Sequence, residues 1–260
     1  MITVIIFSLI GGLVSLTGAL LLFGRRKTSQ KVISLVTAFA AGVLLATAFT
    51  DILPESIASA GTKSVLTWAM LGVLGSFMLE RFLSFFHHHH DDKDKNQASS
   101  SLIIIGDTLH NAIDGLTIGA AFLISPSAGI VTALAVSLHE VPQEIGDFGI
   151  LIKNGMDKSR VVLINVLSAL ATTVTAVGVY AFGEAESPVI PYVLAVTAGF
   201  FIYIATSDLM PQIHAHGKNS IRDPRPWLLL FGAVLVMTLS PIVHEYIEDH
   251  DTTHSEHATE

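Results

Sequence analysis

Apolar positions in this chain come in long blocks separated by short polar ones. Runs of about 20 apolar residues, the length that crosses a bilayer core, lie at 2–23, 32–54, 65–86, 102–124, 128–152, 161–182, 189–211 and 227–246. The pattern predicts an all-α integral membrane protein of eight transmembrane helices, with a single transmembrane domain over 1–247. A loop over 87–100 and a polar tail over 248–260 stand outside it.

Composition agrees with the pattern. The 260 residues are 51% hydrophobic and 14% charged, against roughly 25% charged in ordinary soluble domains. That is too little charge to coat a soluble globule, so a lipid bilayer is the expected surrounding and nucleic acid is excluded as a partner. With no cysteine, disulfides, thiolate metal sites and thiol chemistry are excluded as well. Met1 leads directly into apolar residues with no basic segment before them, so the first run is expected to be retained as a span.

The distribution of bases gives a direction. Arg25, Arg26, Lys27 and Lys31 fall in one connection, Lys93 and Lys95 in the next alternate one, Lys153, Lys158 and Arg160 in the third, and Lys218, Arg222 and Arg225 in the fourth. Arg81 lies at the same end of span three, and only Lys63 lies opposite. Bases concentrate on the cytoplasmic side of membrane proteins. The expectation is a multi-pass protein of the plasma (inner) membrane with both termini extracytoplasmic and the 87–100 loop inside. That loop opens with His87, His88, His89 and His90, a candidate for weak metal collection. The tail carries His250, His254 and His257 among acids, and reads as solvated chain or as a cation-concentrating surface.

Spans two and seven echo each other. Ala41, Gly42, Ala48, Asp51 and Pro54 recur as Ala198, Gly199, Ala205, Asp208 and Pro211 at one constant offset. Because these spans run in opposite directions, spans 1–3 and 6–8 are expected to form an inverted repeat around the central pair 4–5, an arrangement common in transporters.

The chemistry sits on that central pair. In span four, Asp107, His110, Asn111 and Asp114 fall within one sector of a helix. In span five, His139, Gln143 and Asp147 follow one face, and Glu140 and Glu144 the adjoining one. Pro142 lacks an N–H and is expected to loosen the helix beside them. Ionisable side chains in lipid are costly unless paired, hydrated or bound to a cation. Imidazole with carboxylate suits zinc, ferrous iron, manganese or cobalt, whereas magnesium and calcium prefer oxygen alone. The ligands outnumber one tetrahedral shell, so two ions with a bridging carboxylate are open, as is a proton relay.

The strings His110-Asn111-x-x-Asp114-Gly115 and His139-Glu140-x-Pro142-Gln143-Glu144 resemble those of the ZIP (Zrt/Irt-like) metal transporters. Span number, the His-rich loop after span three and the Asp-x-x-Pro ends of spans two and seven extend the likeness over nearly the whole chain. The resemblance implies a permease, not an enzyme, importing a divalent transition metal, most of all zinc, with iron, manganese, cobalt or cadmium as further candidates. The metal would be cargo rather than cofactor. It implies one site lined by His110, Asp114, His139 and Gln143 and a second lined by Asn111, Asp114, Glu140 and Gln143, with Asn165 as a further ligand. It also implies a mobile unit of spans one, four, five and six, and allows a homodimer. Gln143 departs from the histidine or glutamate found there in relatives, and as a neutral amide it should weaken one site. A path from Asp51 and His244 through the centre to Asp107, Asp147 and Asp208 would complete the permease. The competing reading, an intramembrane zinc-dependent protease, calls for H-E-x-x-H, and position 143 breaks that motif.

Overall fold

The computed structural model describes residues 1–24, 30–87, 95–216 and 222–256, and these form eight helical rods without a strand. They are α1 (Ile2–Gly24), α2 (30–60), α3 (Thr62–His87), α4 (Lys95–Ile124), α5 (Pro126–Lys153), α6 (Lys158–Phe182), α7 (190–216) and α8 (Pro224–Glu256). Each contains one of the eight apolar runs. Of the expected 87–100 loop, 88–94 lies outside the described residues, while its two ends are helical, His87 closing α3 and 95–100 opening α4. Of the expected tail, 248–256 continues α8 as helix and 257–260 lies outside the described residues.

Among the described residues, five helices are long and apolar enough to cross a membrane: Lys31–Ala60, Thr62–Phe82, Lys158–Phe182, Ile190–Ala215 and Pro224–Tyr246. The two that carry the polar cluster, α4 and α5, fall short of that mark because the cluster itself interrupts their apolar runs. Exposed apolar side chains such as Trp68, Phe77, Leu163, Val174, Phe231 and Val234 cover the outside of the rods, as a surface facing hydrocarbon requires. Local signals set the helix ends. Ser125 caps α5 by accepting the Ala128 N–H at 3.1 Å, with Pro126 in the first turn where its missing N–H costs nothing. Gly61, at φ +80°, makes the tight break between α2 and α3.

Both α2 and α7 change register midway. Each contains one π-helical segment, Thr47–Ile52 and Ile204–Leu209, closed by Leu53 N–H to the Ala48 carbonyl and by Met210 N–H to the Ala205 carbonyl. The proline that follows, Pro54 or Pro211, cannot donate back into the helix, and the widened turn absorbs that loss. Asp51 and Asp208 stand inside these turns, a placement π-segments often have at functional sites.

The rods pack as two groups. In one, α2 pairs with α8 and α3 with α7, and α2 and α7 touch at the centre; in the other, α1, α4, α5 and α6 interlock. Glycines mark the close approaches. A Cβ on Gly42 would stand 1.9 Å from the Leu229 carbonyl oxygen, and one on Gly199 would stand 2.0 Å from that of Ala69. Likewise Gly232 faces the Phe39 carbonyl at 2.4 Å and Gly72 that of Val196 at 2.1 Å. In the second group, Gly115 and Gly119 of α4 bring α6 close, with Thr172 O at 2.1 Å and Ala176 O at 2.6 Å. These close approaches all lie within a group. Across the seam, where α2 meets α5 and α4 meets α7, side chains such as Thr117 and Thr197 meet.

Candidate metal centre

Three donor atoms converge where α4 meets α5. His110 Nε2 and His139 Nε2 stand 3.1 Å apart, and Asp114 Oδ2 lies 3.6 Å from the first and 3.3 Å from the second. His110 and Asp114 are four residues apart and therefore one above the other on the same face of α4. His139 enters from α5 with its Nδ1 3.3 Å from the Ala135 carbonyl, which leaves Nε2 facing the other two donors. Bond lengths of about 2.0–2.1 Å to nitrogen and oxygen place the donors of a tetrahedral zinc ion ~3.3–3.4 Å apart, so these three atoms already form one face of such a shell. Asp114 and His139 are fully buried. Neither Asp114 carboxylate oxygen accepts a hydrogen bond, a costly state for a buried acid and one that a cation would relieve. Among the described residues, His110, Asp114 and His139 are the acid and imidazole group whose ligand atoms all lie within 4.8 Å.

The other predicted residues sort by neighbourhood. Glu140 and Glu144 are buried on the next face of α5, and Glu144 stands among Asp107, Glu140 and Asp147, with its Oε2 reached by no hydrogen bond. Gln143 lies beside His110 on the wall of a cavity. Asn111 shares the stripe of His110 and Asp114 but is turned toward α6. Its carbonyl oxygen accepts from Thr172 Oγ1 at 2.8 Å, and its amide donates to the Asp107 carboxylate at 3.0 Å and to Ser168 Oγ at 3.3 Å. One stripe on α4 thus serves two neighbours. Asn165 is buried and donates to the Val161 carbonyl of its own helix at 2.8 Å. Pro142 lies inside the single helix α5, on the same cavity wall.

That cavity, of about 590 Å³, opens between α3, α4, α5 and α7 at the end of the molecule that bears the basic connections, and it reaches His110. Asp107, Asp147 and Asp208 line it, together with Glu80, which accepts a hydrogen bond from the Tyr203 hydroxyl. At the opposite end a pocket of about 330 Å³ gathers Asp51, Glu55, Ser240 and His244. Ser240 donates to Asp51, and its carbonyl lies 2.9 Å from His244 Nδ1. None of the three central donors lines that pocket. One turn beyond Asp114, Ile118 is fully buried, as are Leu44 and Phe201.

Several of these residues had no signal in the sequence. Phe200 and Phe201 of α7 lay their rings 5.3 and 5.7 Å from the imidazoles of His110 and His139, yet in a list of residues they are two more apolar positions in a span. Thr172 and Ser168 are likewise ordinary small polar residues until α6 is docked. Glu80 was the one legible in principle, as an acid near the end of a long apolar run.

A second imidazole supplied by α4, with an amide at position 143, leaves the protease reading without support. The profile of the family described as ZIP Zinc transporter matches residues 1–102 and 87–241. The zinc transporter ZIP4 of Mus musculus is 43% identical over 133 residues, which cover 49% of this chain and 18% of that protein. Zinc transporter foi of Drosophila melanogaster is 46% identical over 118 residues, 45% of this chain and 17% of its own length. Zinc transporter ZIP10 of Homo sapiens is 40% identical over 119 residues, covering 45% and 14%. The matched stretch thus spans under a fifth of each of these relatives.

Proposed function

The chain belongs to the ZIP zinc transporter family, and from that premise we propose that it is a permease that passes zinc through the plasma membrane into the cytoplasm. The observation that carries the reading is the triangle of His110, Asp114 and His139, spaced as one face of a zinc shell and holding a buried carboxylate that no hydrogen bond satisfies. Gln143 and solvent from the adjoining cavity complete the shell. A second ion sits on the acidic side, by Glu140 and Glu144, with Asp114 as the bridge and Asn111 at its margin. Imidazole and carboxylate also accept iron, manganese, cobalt and cadmium, so selectivity is graded rather than absolute.

Orientation follows from the basic connections, which put the large cavity on the cytoplasmic side and both termini outside. The ion enters by Asp51, Glu55 and His244, rests at the centre and leaves past Asp107, Asp147 and Asp208, each contact weak enough to release it. All eight rods cross the bilayer. The paired π-segments at a shift of 157 residues and the matching glycine contacts of Gly42 and Gly199 support an inverted repeat. They also favour a cycle in which α1, α4, α5 and α6 carry the ion while sliding along the other four helices, since the close approaches at Gly42, Gly72, Gly115, Gly119, Gly199 and Gly232 lie within the two groups. The outer apolar faces leave room for a homodimer.

Radiometal uptake into proteoliposomes, comparing zinc, iron, manganese and cadmium, tests the function. Wild type accumulates zinc and the His110→Ala/His139→Ala protein, still monodisperse, does not. Metal binding by wild type without any uptake would overturn the transport reading.

A further inference from the structure

The large cavity at the basic end has a counterpart at the other end, divided in two. Among its lining residues, Ser76 and Glu80 of α3 and Phe200, Ser207 and Asp208 of α7 correspond, at shifts of 160 and 157 positions, to Val236, Ser240, Val43, Thr50 and Asp51. The same two shifts relate the glycine contacts, Gly72 with Val196 becoming Gly232 with Phe39, and Gly199 with Ala69 becoming Gly42 with Leu229. Thr50 and Asp51 line the polar outer pocket. Val43 and Val236 line a separate apolar crevice of about 260 Å³ between α1, α2, α5 and α8. Ser240 belongs to both. One vestibule that reaches His110 at one end therefore matches a divided one at the other, whose two parts are lined by neither His110 nor His139.

The two ends are not chemically equal at the place that touches the metal ligands. Phe200 and Phe201 bear on His110 and His139 from the opposite side of the seam. Their counterparts are Val43 and Leu44, which have no ring to offer an imidazole. Aromatic rings at such distances attract each other beyond their area of contact.

We infer that Phe200, seconded by Phe201, is a positioning residue that selects the conformational state: its ring holds the His110 imidazole against α7 while the basic-end vestibule is open, and the lack of a ring at Val43 leaves the opposite state without an equal hold. The protein consequently rests open toward the basic end, with its metal ligands already oriented. The inference rests on the inverted-repeat reading given above and deepens it by naming the residues that break the symmetry. Phe200→Val, which makes the two ends alike, should shift the balance between states by about three- to tenfold, the range an aromatic pair supplies.

The absence of cysteine makes a direct test available. Single cysteines E80C and S240C, counterparts on α3 and α8, are placed in the otherwise unchanged chain, and their reaction rates with a water-soluble maleimide are measured in nanodiscs open to both sides. Glu80 is exposed on the basic-end vestibule and Ser240 is buried, so E80C is expected to react fast and S240C slowly. Adding Phe200→Val should slow E80C and quicken S240C, while Phe200→Tyr, which keeps the ring, should leave both rates as they were. The exchange F200V/V43F should move the ratio further than F200V alone. Should F200V fail to give a monodisperse protein, Phe200→Leu serves in its place with a smaller shift in the same direction.

Rates that stay within twofold across all variants would overturn the inference. An S240C that never reacts would overturn the repeat reading and the inference with it. Zinc uptake on the same preparations tells these failures apart from a failure of the transport function, because the labelling ratio needs no metal to be moved.

Discussion

The two four-helix groups solve the same packing problem with different chemistry. The group of α2, α3, α7 and α8 is tied by glycines seated on facing carbonyls, by ring pairs such as Phe39 with Phe231 and Trp68 with Tyr192, and by Ser240 to Asp51. The group of α1, α4, α5 and α6 uses glycines too, but fills its interior with hydrogen-bonded polar groups, Thr175 to the Ala112 carbonyl at 3.0 Å and the Asn111 amide among Asp107, Ser168 and Thr172. Where the groups meet, contact is made by side chains, including Thr117 with Thr197 at 3.1 Å and the two Phe–His pairs. The difference teaches that rigidity and chemistry are housed apart. One group has almost nothing to titrate at its core, and the other carries the three converging donors His110, Asp114 and His139.

The comparison breaks hardest at the glycines. Gly42→Leu and Gly199→Leu each drive a side chain into a backbone carbonyl that cannot yield, and overpacking alone costs about 1–3 kcal/mol. Both should abolish a monodisperse protein or lower its melting temperature sharply and by similar amounts. A large drop for one and none for the other would count against the repeat. Next in size, His110→Ala/His139→Ala should weaken zinc binding by about 100-fold or more, beyond the 10–100-fold that outer partners of a metal site contribute, with thermal unfolding hardly moved. Calorimetry on the two proteins checks it.

Acidity comes third. Both imidazoles must be neutral to bind metal, so zinc affinity should fall as pH drops from about 7.5 to about 5.5, and an affinity that does not change with pH would count against ligation by both. Thr172→Val removes the donor to the Asn111 carbonyl and leaves that buried oxygen unmet, which costs about 1–3 kcal/mol. It should lower stability by that amount and act on the polar group alone. The smallest expected effect is at the mouths. Asp51→Asn and Asp208→Asn, which occupy equivalent π-segments, should each slow zinc uptake a few-fold with binding at the centre unchanged.

Much of this molecule can be read before it is folded. Spans of fixed length follow from the bilayer, and the stripe His110, Asp114 and the pair His139, Glu140 stand out because charge is expensive where they lie. The echo between α2 and α7 was visible in five residues, and the π-segments show that it extends to backbone geometry. Asn111 is the instructive departure. Its helical position groups it with His110 and Asp114, but Thr172 and Ser168 arrive from a helix 61 and 57 residues away and turn its amide to α6. Helix geometry assigns a face and cannot say which neighbour will stand there.

The sequence by itself determined the class of protein, the eight rods and the residue types that can hold a divalent cation, because hydrophobic length and the cost of buried charge are local properties of a helix. Only the tertiary structure decided that two nitrogens and an oxygen meet at 3.1–3.6 Å, that Phe200 and Phe201 lean on those imidazoles, and that the basic end opens where its counterpart is divided. Those facts depend on how far one rod slides along another. That distance is set by which glycine admits which carbonyl, a pairing between residues remote in the chain that no local pattern encodes.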